Sequence, residues 1–272
     1  MEAHVDKPSA SDPNQITVLT ISKNDLQGLM VTLESLMVQS YKLWKLIVVL
    51  PDQNDESYLT IRSLCDTNSK VSLVLQKQKG IYGAFNEGLS YLETKLIWFM
   101  NGGDQFLGHK SLETAVTKIH SLKVNLLIGG YQYEEDSTMR HFVYRDKFLS
   151  PRSFSINRRS GCHQSMLFNM ESCPNLKFDT SFNYAADFKF VLEFMSKNKA
   201  YRTSKIFCQI QPGGVSSSEI LAVIREKQEI RLNVFAYSIV DKLLGRAWTI
   251  GVLAKISIRN LLSGRFSPAK WV

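Results

Sequence analysis

Apolar and polar positions alternate between two periods along the first half of this chain. Largely apolar runs at Ile16–Ile21, 46–50, Val71–Leu75, 96–100 and 126–128 have strand length and the continuity of strands buried on both faces. Pro51 stops the second run because proline cannot extend a ladder. Between the runs the apolar spacing turns helical. Leu26, Leu29, Met30, Leu33, Leu36 and Met37 form one face after a start near Asp25, and Tyr58, Ile61 and Leu64 form a second. Tyr82, Phe85, Leu89 and Leu92 form a third, and residues 111–122 a fourth. Strand–helix alternation at this spacing predicts right-handed βαβ units and a mostly parallel α/β sheet flanked by helices. From residue 131 to 160 the pattern weakens and charges mix, as in an excursion on the acceptor side. It resumes with a short strand at 166–168, a helix opened by Asp187 and carrying Phe190, Val191 and Phe194, and a last strand at 205–210.

The chemistry-bearing residues collect where these strands end. Gly80-Ile81-Tyr82-Gly83-Ala84-Phe85-Asn86-Glu87-Gly88 is a glycine turn opening a helix, and the next strand stops at Asn101-Gly102-Gly103-Asp104. Ligands of open α/β sheets bind beyond the carboxyl ends of the strands, so Asp104 stands where a metal, phosphate or sugar sits. Lys79 and the amides of Gly80 and Ile81 lie at a helix start, a natural anion site. Thr20, Ser22 and Asn24 crown the first strand, with Lys23 beside them.

Five stretches in order resemble the family 2 glycosyltransferases of bacterial polysaccharide synthesis, including the colanic-acid and O-antigen branches. They are the first strand with Asn24 and Asp25; Gly80–Gly88 followed by Asn101–Asp104; Cys162-His163-Gln164-Ser165; Phe178-Asp179-Thr180-Ser181-Phe182 leading to Ala185-Ala186-Asp187-Phe188; and Gly213-Gly214-Val215-Ser216. The resemblance covers about residues 15–218 and implies a GT-A, Rossmann-like fold. It also implies a nucleotide-sugar donor, an inverting single displacement and a lipid-linked glycan acceptor. On it, Asp187 is the general base, and Thr20, Ser22, Asn24, Lys79, Gly80, Ile81, Tyr82, Asn86, Asn101, Gly102 and Gly103 contact the donor. His163 and Gln164 meet the acceptor or the diphosphate, and Asp104 ligates a divalent Mg2+ or Mn2+ ion. Mg2+ often uses one or two carboxylates plus substrate phosphates, so a single Asp gives weak binding without donor.

The chain departs from the family's pattern at several positions. Lys23 stands where an aromatic is usual, Leu50-Pro51 where the second strand ends in Asp, Gln76-Lys77-Gln78 where the family reads E-x-D, and Gly83 where it has a carboxylate. These losses raise a second reading, a non-catalytic or scaffold member of the same fold. Nucleotidyl transfer is a third, and it calls for a glycine-rich loop after the first strand that Ser22-Lys23-Asn24-Asp25 does not supply.

With 272 residues, the chain has room for one large α/β domain and an appendage. The expected division is a flexible N-terminus over 1–14, a GT-A catalytic domain over 15–217 and a basic amphipathic helical tail over 218–272. Residues 216–272 hold nine Lys and Arg against four Asp and Glu, so most of the formal charge of +8 lies there. Leu232, Phe235, Ile239, Leu243 and Leu244, then Trp248, Val252 and Ile256, keep helical spacing beside the pairs Lys242/Arg246 and Lys255/Arg259. Basic edges on an apolar face suit a helix lying on an anionic membrane surface. Nucleic acid is excluded as a partner, because a phosphate backbone does not call for that apolar face. No run of eighteen apolar residues and no signal-peptide pattern occurs, and four scattered cysteines lack a C-x-x-C pair. Together these predict a cytoplasmic protein, peripheral on the inner face of a bacterial inner membrane.

Overall fold

The computed structural model describes residues 12–156, 161–211 and 219–234, together with Ala247, Ile250 and Gly251. Its centre is the expected parallel set. Strands β1 (Ile16–Ile21), β2 (Trp44–Leu50), β3 (Val71–Leu75) and β4 (Leu96–Asn101) lie in the order β3-β2-β1-β4, all parallel. Strands β5 (Gln105–Phe106), β6 (Leu126–Glu135), β7 (Thr138–Phe142), β8 (Lys147–Leu149), β9 (Met166–Asn169) and β10 (Ala200–Gln209) complete the sheet. The order continues β4-β9-β6-β10-β5, and β9 runs antiparallel to both of its neighbours.

Helices α1 (Leu26–Met37), α2 (Tyr58–Thr67) and α4 (Ser111–Ser121) cover one face, and α3 (Ile81–Leu89) and α6 (Ala186–Lys197) the other. Alternate strand residues supply the two cores. Val18, Leu46, Val48 and Trp98 pack with Leu29, Leu33, Ile61 and Leu112, while Leu19, Ile47, Val49 and Phe99 pack with Phe85, Phe190 and Phe194. Phe178 is the hub of the second core. It stacks on Phe190 at 4.3 Å and on Tyr82 at 5.6 Å, and meets Phe99 edge-on at 5.2 Å. Such pairs add about 0.5–1.5 kcal/mol beyond area burial, so α3 and α6 are locked to each other through one ring.

The structure corrects several boundaries. Strand β2 begins at Trp44, two residues early, because Trp44 is buried against α2's side of the sheet. Strand β6 continues past 128 to Glu135 and turns back as a hairpin with β7, so residues 131–142 are sheet rather than loop. Thr138 to His141 of β7 are all exposed, so this arm of the hairpin carries no buried apolar run. Strand β8 and α5 (Pro151–Ile156) follow within the same excursion. The last strand runs from Ala200 to Gln209; its first half is masked in sequence by partly exposed Tyr201, Arg202 and Ser204, and its register shifts near Ile206. Helix α7 (Ile220–Glu229) and a π-helical turn (Ile230–Val234) begin the segment assigned to the tail. Apart from Ala247, Ile250 and Gly251, the rest of that segment, the N-terminal residues before Asp12 and the Gly213–Ser216 motif lie outside the described residues. No described helix is long and apolar enough to cross a membrane.

Candidate functional site

The end of β4 is shaped by one buried threonine. Thr32 of α1 donates to the carbonyl oxygen of Asp104 at 2.6 Å and accepts the Gly103 amide at 3.0 Å. The Gly102 amide bonds the Ile21 carbonyl, which sets the turn against the end of β1 and beside Ser22. Gly103 has φ +95°, in the left-handed region, so no other residue fits the turn without strain. The turn drives Asp104 inward to 3% exposure. Its Oδ1 accepts the Gln211 amide at 2.9 Å, and Gln164 also donates to its carboxylate. Burial pushes this carboxyl up, and the bonds from Gln211 and Gln164 and the nearby His163 offset only part of that.

Asp187 sits in the first turn of α6, as predicted, with its side chain 27% exposed. Tyr82 donates its phenol to Oδ1 at 3.3 Å, His163 Nδ1 lies 3.2 Å from Oδ2, and the Phe188 amide donates to Oδ1 at 2.8 Å. Burial works to raise the Asp187 carboxyl, but His163, the Lys227 ammonium and the Phe188 amide outweigh it and hold the group below the usual carboxylate range. Tyr82 is pushed well up by burial and by the Asp187 charge, so it stays a neutral donor. His163 Nε2 is buried and has no hydrogen-bond partner among the described residues.

The other predicted residues divide. Asn101 is half-buried with its Oδ1 unpartnered, beside Asp104. Lys79, Gly80 and Ile81 are exposed at the start of α3, and Asn24 is exposed at φ +47°. Ser22 donates to the Asp25 carbonyl. Thr20 is fully buried within β1 and presents nothing to solvent. Asn86 spends its amide on the backbone of Phe178, donating to the carbonyl and accepting the N–H at 2.8 Å each. Thus Asp104, Asn101, His163, Gln164, Tyr82 and Asp187 form one connected constellation, while Thr20 and Asn86 serve the layers beneath it.

Four contributors escaped the sequence reading. Asp55 is 6% exposed and accepts the Asn24 amide at 2.7 Å and the Ser57 amide at 2.9 Å, holding the turn after β1. Its D-x-S spacing, an Asx-turn signature, was the available signal. Thr32 was legible only as the polar residue on α1's apolar face. Gln211 and Glu226 carried no local signal. The departures around the α3 turn also prove to be coupled. A Cβ at Gly83 would stand 2.4 Å from the Gln78 carbonyl oxygen, Gln76 donates to the Gly80 carbonyl at 2.8 Å, and Gln78 reaches Thr180 at 3.1 Å. A self-bonded loop that carries Lys77 and Lys79 but no acid thus occupies the place of the family's acids.

The arrangement suits a divalent cation. Asp104 is a buried carboxylate short of compensating charge, and Asn101 Oδ1 and His163 Nε2 are buried without partners among the described residues. Among the described residues no group of three or more His, Cys, Asp or Glu could hold a metal, so this set is lean in charge.

Residues 17–177 match the sequence profile described as glycosyl transferase family 2. The chain belongs to that family. It is 24% identical over 208 residues to the uncharacterized glycosyltransferase Rv1514c of Mycobacterium tuberculosis, covering 74% of this chain and 77% of that protein. It is 22% identical over 147 residues to the UDP-Glc:alpha-D-GlcNAc-diphosphoundecaprenol beta-1,3-glucosyltransferase WfgD of Escherichia coli, 54% of this chain and 55% of WfgD. Among solved structures, Staphylococcus aureus TarS 1–349 in complex with UDP superposes with TM-score 0.65 at 13% identity, covering 86% of this chain and 70% of that one. The mannosyltransferase PcManGT of Pyrobaculum calidifontis, in complex with GDP-Man and Mn2+, superposes with TM-score 0.59 at 13% identity over 97% of this chain and 86% of that one. The transferase therefore has the expected GT-A-like fold, and Asp187 lies ten residues beyond the profile match.

Proposed function

We propose that this transferase moves a sugar from a nucleoside diphosphate donor to a hydroxyl of a lipid-linked glycan with inversion, using Asp187 as general base. The observation that carries this reading is the Asp187 carboxylate, kept ionised by His163 and bracketed by the Tyr82 phenol at a partly open position. A scaffold protein has no need to hold a half-buried carboxylate charged between two donors.

In the proposed step the acceptor oxygen forms a bond to the anomeric carbon as its proton passes to Asp187. The bond from that carbon to the phosphate oxygen breaks, and the nucleoside diphosphate leaves with the electron pair. His163 and Tyr82 fix the carboxylate's rotamer; Oδ1 is taken by Tyr82 and the Phe188 amide, so Oδ2, which meets only His163, keeps a lone pair for the incoming proton. Exposed Lys79 and the amides opening α3 supply positive charge to a diphosphate. Asp104, Asn101 Oδ1 and His163 Nε2 are the groups that would hold Mg2+ or Mn2+, which supplies further charge to the leaving group when bound. The UDP and GDP-Man complexes of the structural neighbours and the lipid-diphosphate acceptor named for WfgD support the substrate classes. The basic character of residues 218–272 supports a peripheral seat on an anionic membrane surface at the cytoplasmic face.

A thermal-shift panel of UDP-glucose, UDP-GlcNAc and GDP-mannose, with and without Mn2+, tests the donor class. Ligand at a hundredfold excess over Kd stabilises the native state by about 2.7 kcal/mol, so one donor should raise the midpoint, and more so with metal. A flat panel would contradict the reading.

A further inference from the structure

We propose that helix α7 belongs to the catalytic centre, with Glu226 a positioning residue that holds Asp187 in place from outside the region the family profile matches. The proposal rests on Asp187 being the working carboxylate. The segment entering α6 has no side-chain cap of its own, since Ala185 occupies the cap position. Its amides are taken instead by a carboxylate forty residues further along the chain. Glu226 Oε1 accepts from Asn183, and Oε2 accepts from both Tyr184 and Ala185, each at 2.8 Å. These three N–H groups end two residues before Asp187, so their position sets where the carboxylate points.

The same stretch grips the next residue. Lys227 and Arg231 lie over the ring of Phe188 at 5.4 and 5.1 Å, Phe154 of α5 stacks against that ring at 5.8 Å, and Arg231 Nε donates to the Ser155 carbonyl at 2.7 Å. Residues 183–188 are thus held from both sides, by α5 and by the stretch running from α7 into the π-helical turn. Charge-assisted bonds of this kind are among the stronger ones a protein makes. Three of them converge on one side chain here, which is more than ordinary helix docking requires.

The test uses the full chain and needs no substrate. Hydrogen exchange and the 15N spectrum of the His163 imidazole are recorded for the native protein and for Glu226→Ala, Glu226→Gln, Asp187→Asn and Glu229→Gln, the last an exposed neighbour on α7 as control. Glu226→Ala should speed exchange at Asn183, Tyr184 and Ala185 by about tenfold or more. It should also move the His163 Nδ1 resonance toward its position in Asp187→Asn. Glu226→Gln keeps one acceptor oxygen and should move both part-way, which covers the case in which the alanine variant does not fold; Glu229→Gln should move neither. A His163 resonance that stays at the native position in both Glu226 variants would overturn the proposal, because a purely structural cap leaves it there. If Asp187→Asn retains sugar transfer, the base assignment falls, while a shifted His163 resonance in the Glu226 variants still upholds the positioning.

Discussion

Gly83 offers a test in which two known effects oppose each other. Replacing a helix-interior glycine by alanine ordinarily stabilises by about 1 kcal/mol, and Gly83 lies inside α3. Here the added Cβ would stand 2.4 Å from the Gln78 carbonyl oxygen and 3.0 Å from its carbon, and both obstacles are backbone. That backbone cannot simply withdraw, because Gln76 ties the Gly80 carbonyl and Gln78 is bonded to Thr180. Forcing an extra methyl into such a contact costs about 1–3 kcal/mol, so the clash outweighs the helix gain. Gly83→Ala should be destabilised by up to about 2 kcal/mol, or up to about 8 °C in a chain of this size. Gly83→Asp should fall further, since it adds a carboxylate facing a carbonyl oxygen. Calorimetry and urea titration with an unchanged m-value check this. A Gly83→Ala protein melting at or above the native midpoint would refute the close approach, and with it the claim that the lost acids of this loop are sterically coupled.

Other consequences follow from named contacts. Phe178→Ala removes the ring shared by α3 and α6 and should cost about 3–5 kcal/mol, read from urea unfolding; Phe178→Tyr should cost less. Asp179 is held down to about 2 by its bonds to Lys189 and Ser181. A depressed carboxyl contributes stability that is present above its unfolded pKa near 4 and is lost as pH falls through 2. The pair is partly exposed, so Asp179→Asn should cost about 1 kcal/mol at pH 7 and progressively less as the pH falls from about 4 through 2 in a pH series of melting points. Asp104→Asn should keep the fold and abolish any Mn2+-dependent part of the donor-induced thermal shift. A metal increment that survives in Asp104→Asn would remove Asp104 from the cation site.

The central strands and the faces of α1, α3 and α4 were legible because both periods are carried by apolar residues that end up buried, such as Val18, Leu29 and Phe85. The places of the two proposed site carboxylates were legible too, since Asp104 follows a strand end and Asp187 lies in the first turn of a helix. What the pattern did not carry were contacts distant in the chain. Thr32 reaches the Asp104 turn across 72 positions and Glu226 reaches Ala185 across 41. No local period encodes such pairings, and Glu226 counted in sequence only as one acid among the basic residues of the tail. Asn86 misled for the same reason: its partner, the Phe178 backbone, lies 92 positions away. The hairpin at 131–142 was missed because Thr138 to His141 of β7 are all exposed, so its sequence resembled that of a loop.

The central claim is that Asp187 takes the acceptor's proton. Sugar transfer to a synthetic lipid-diphosphate GlcNAc acceptor should be followed by mass spectrometry for native protein and Asp187→Asn, using the donor that gives the largest thermal shift. A positioned general base contributes about 10²–10⁴ in rate. The account predicts a loss of that order in kcat, with the donor-induced shift retained. Transfer by Asp187→Asn at the native rate would contradict it.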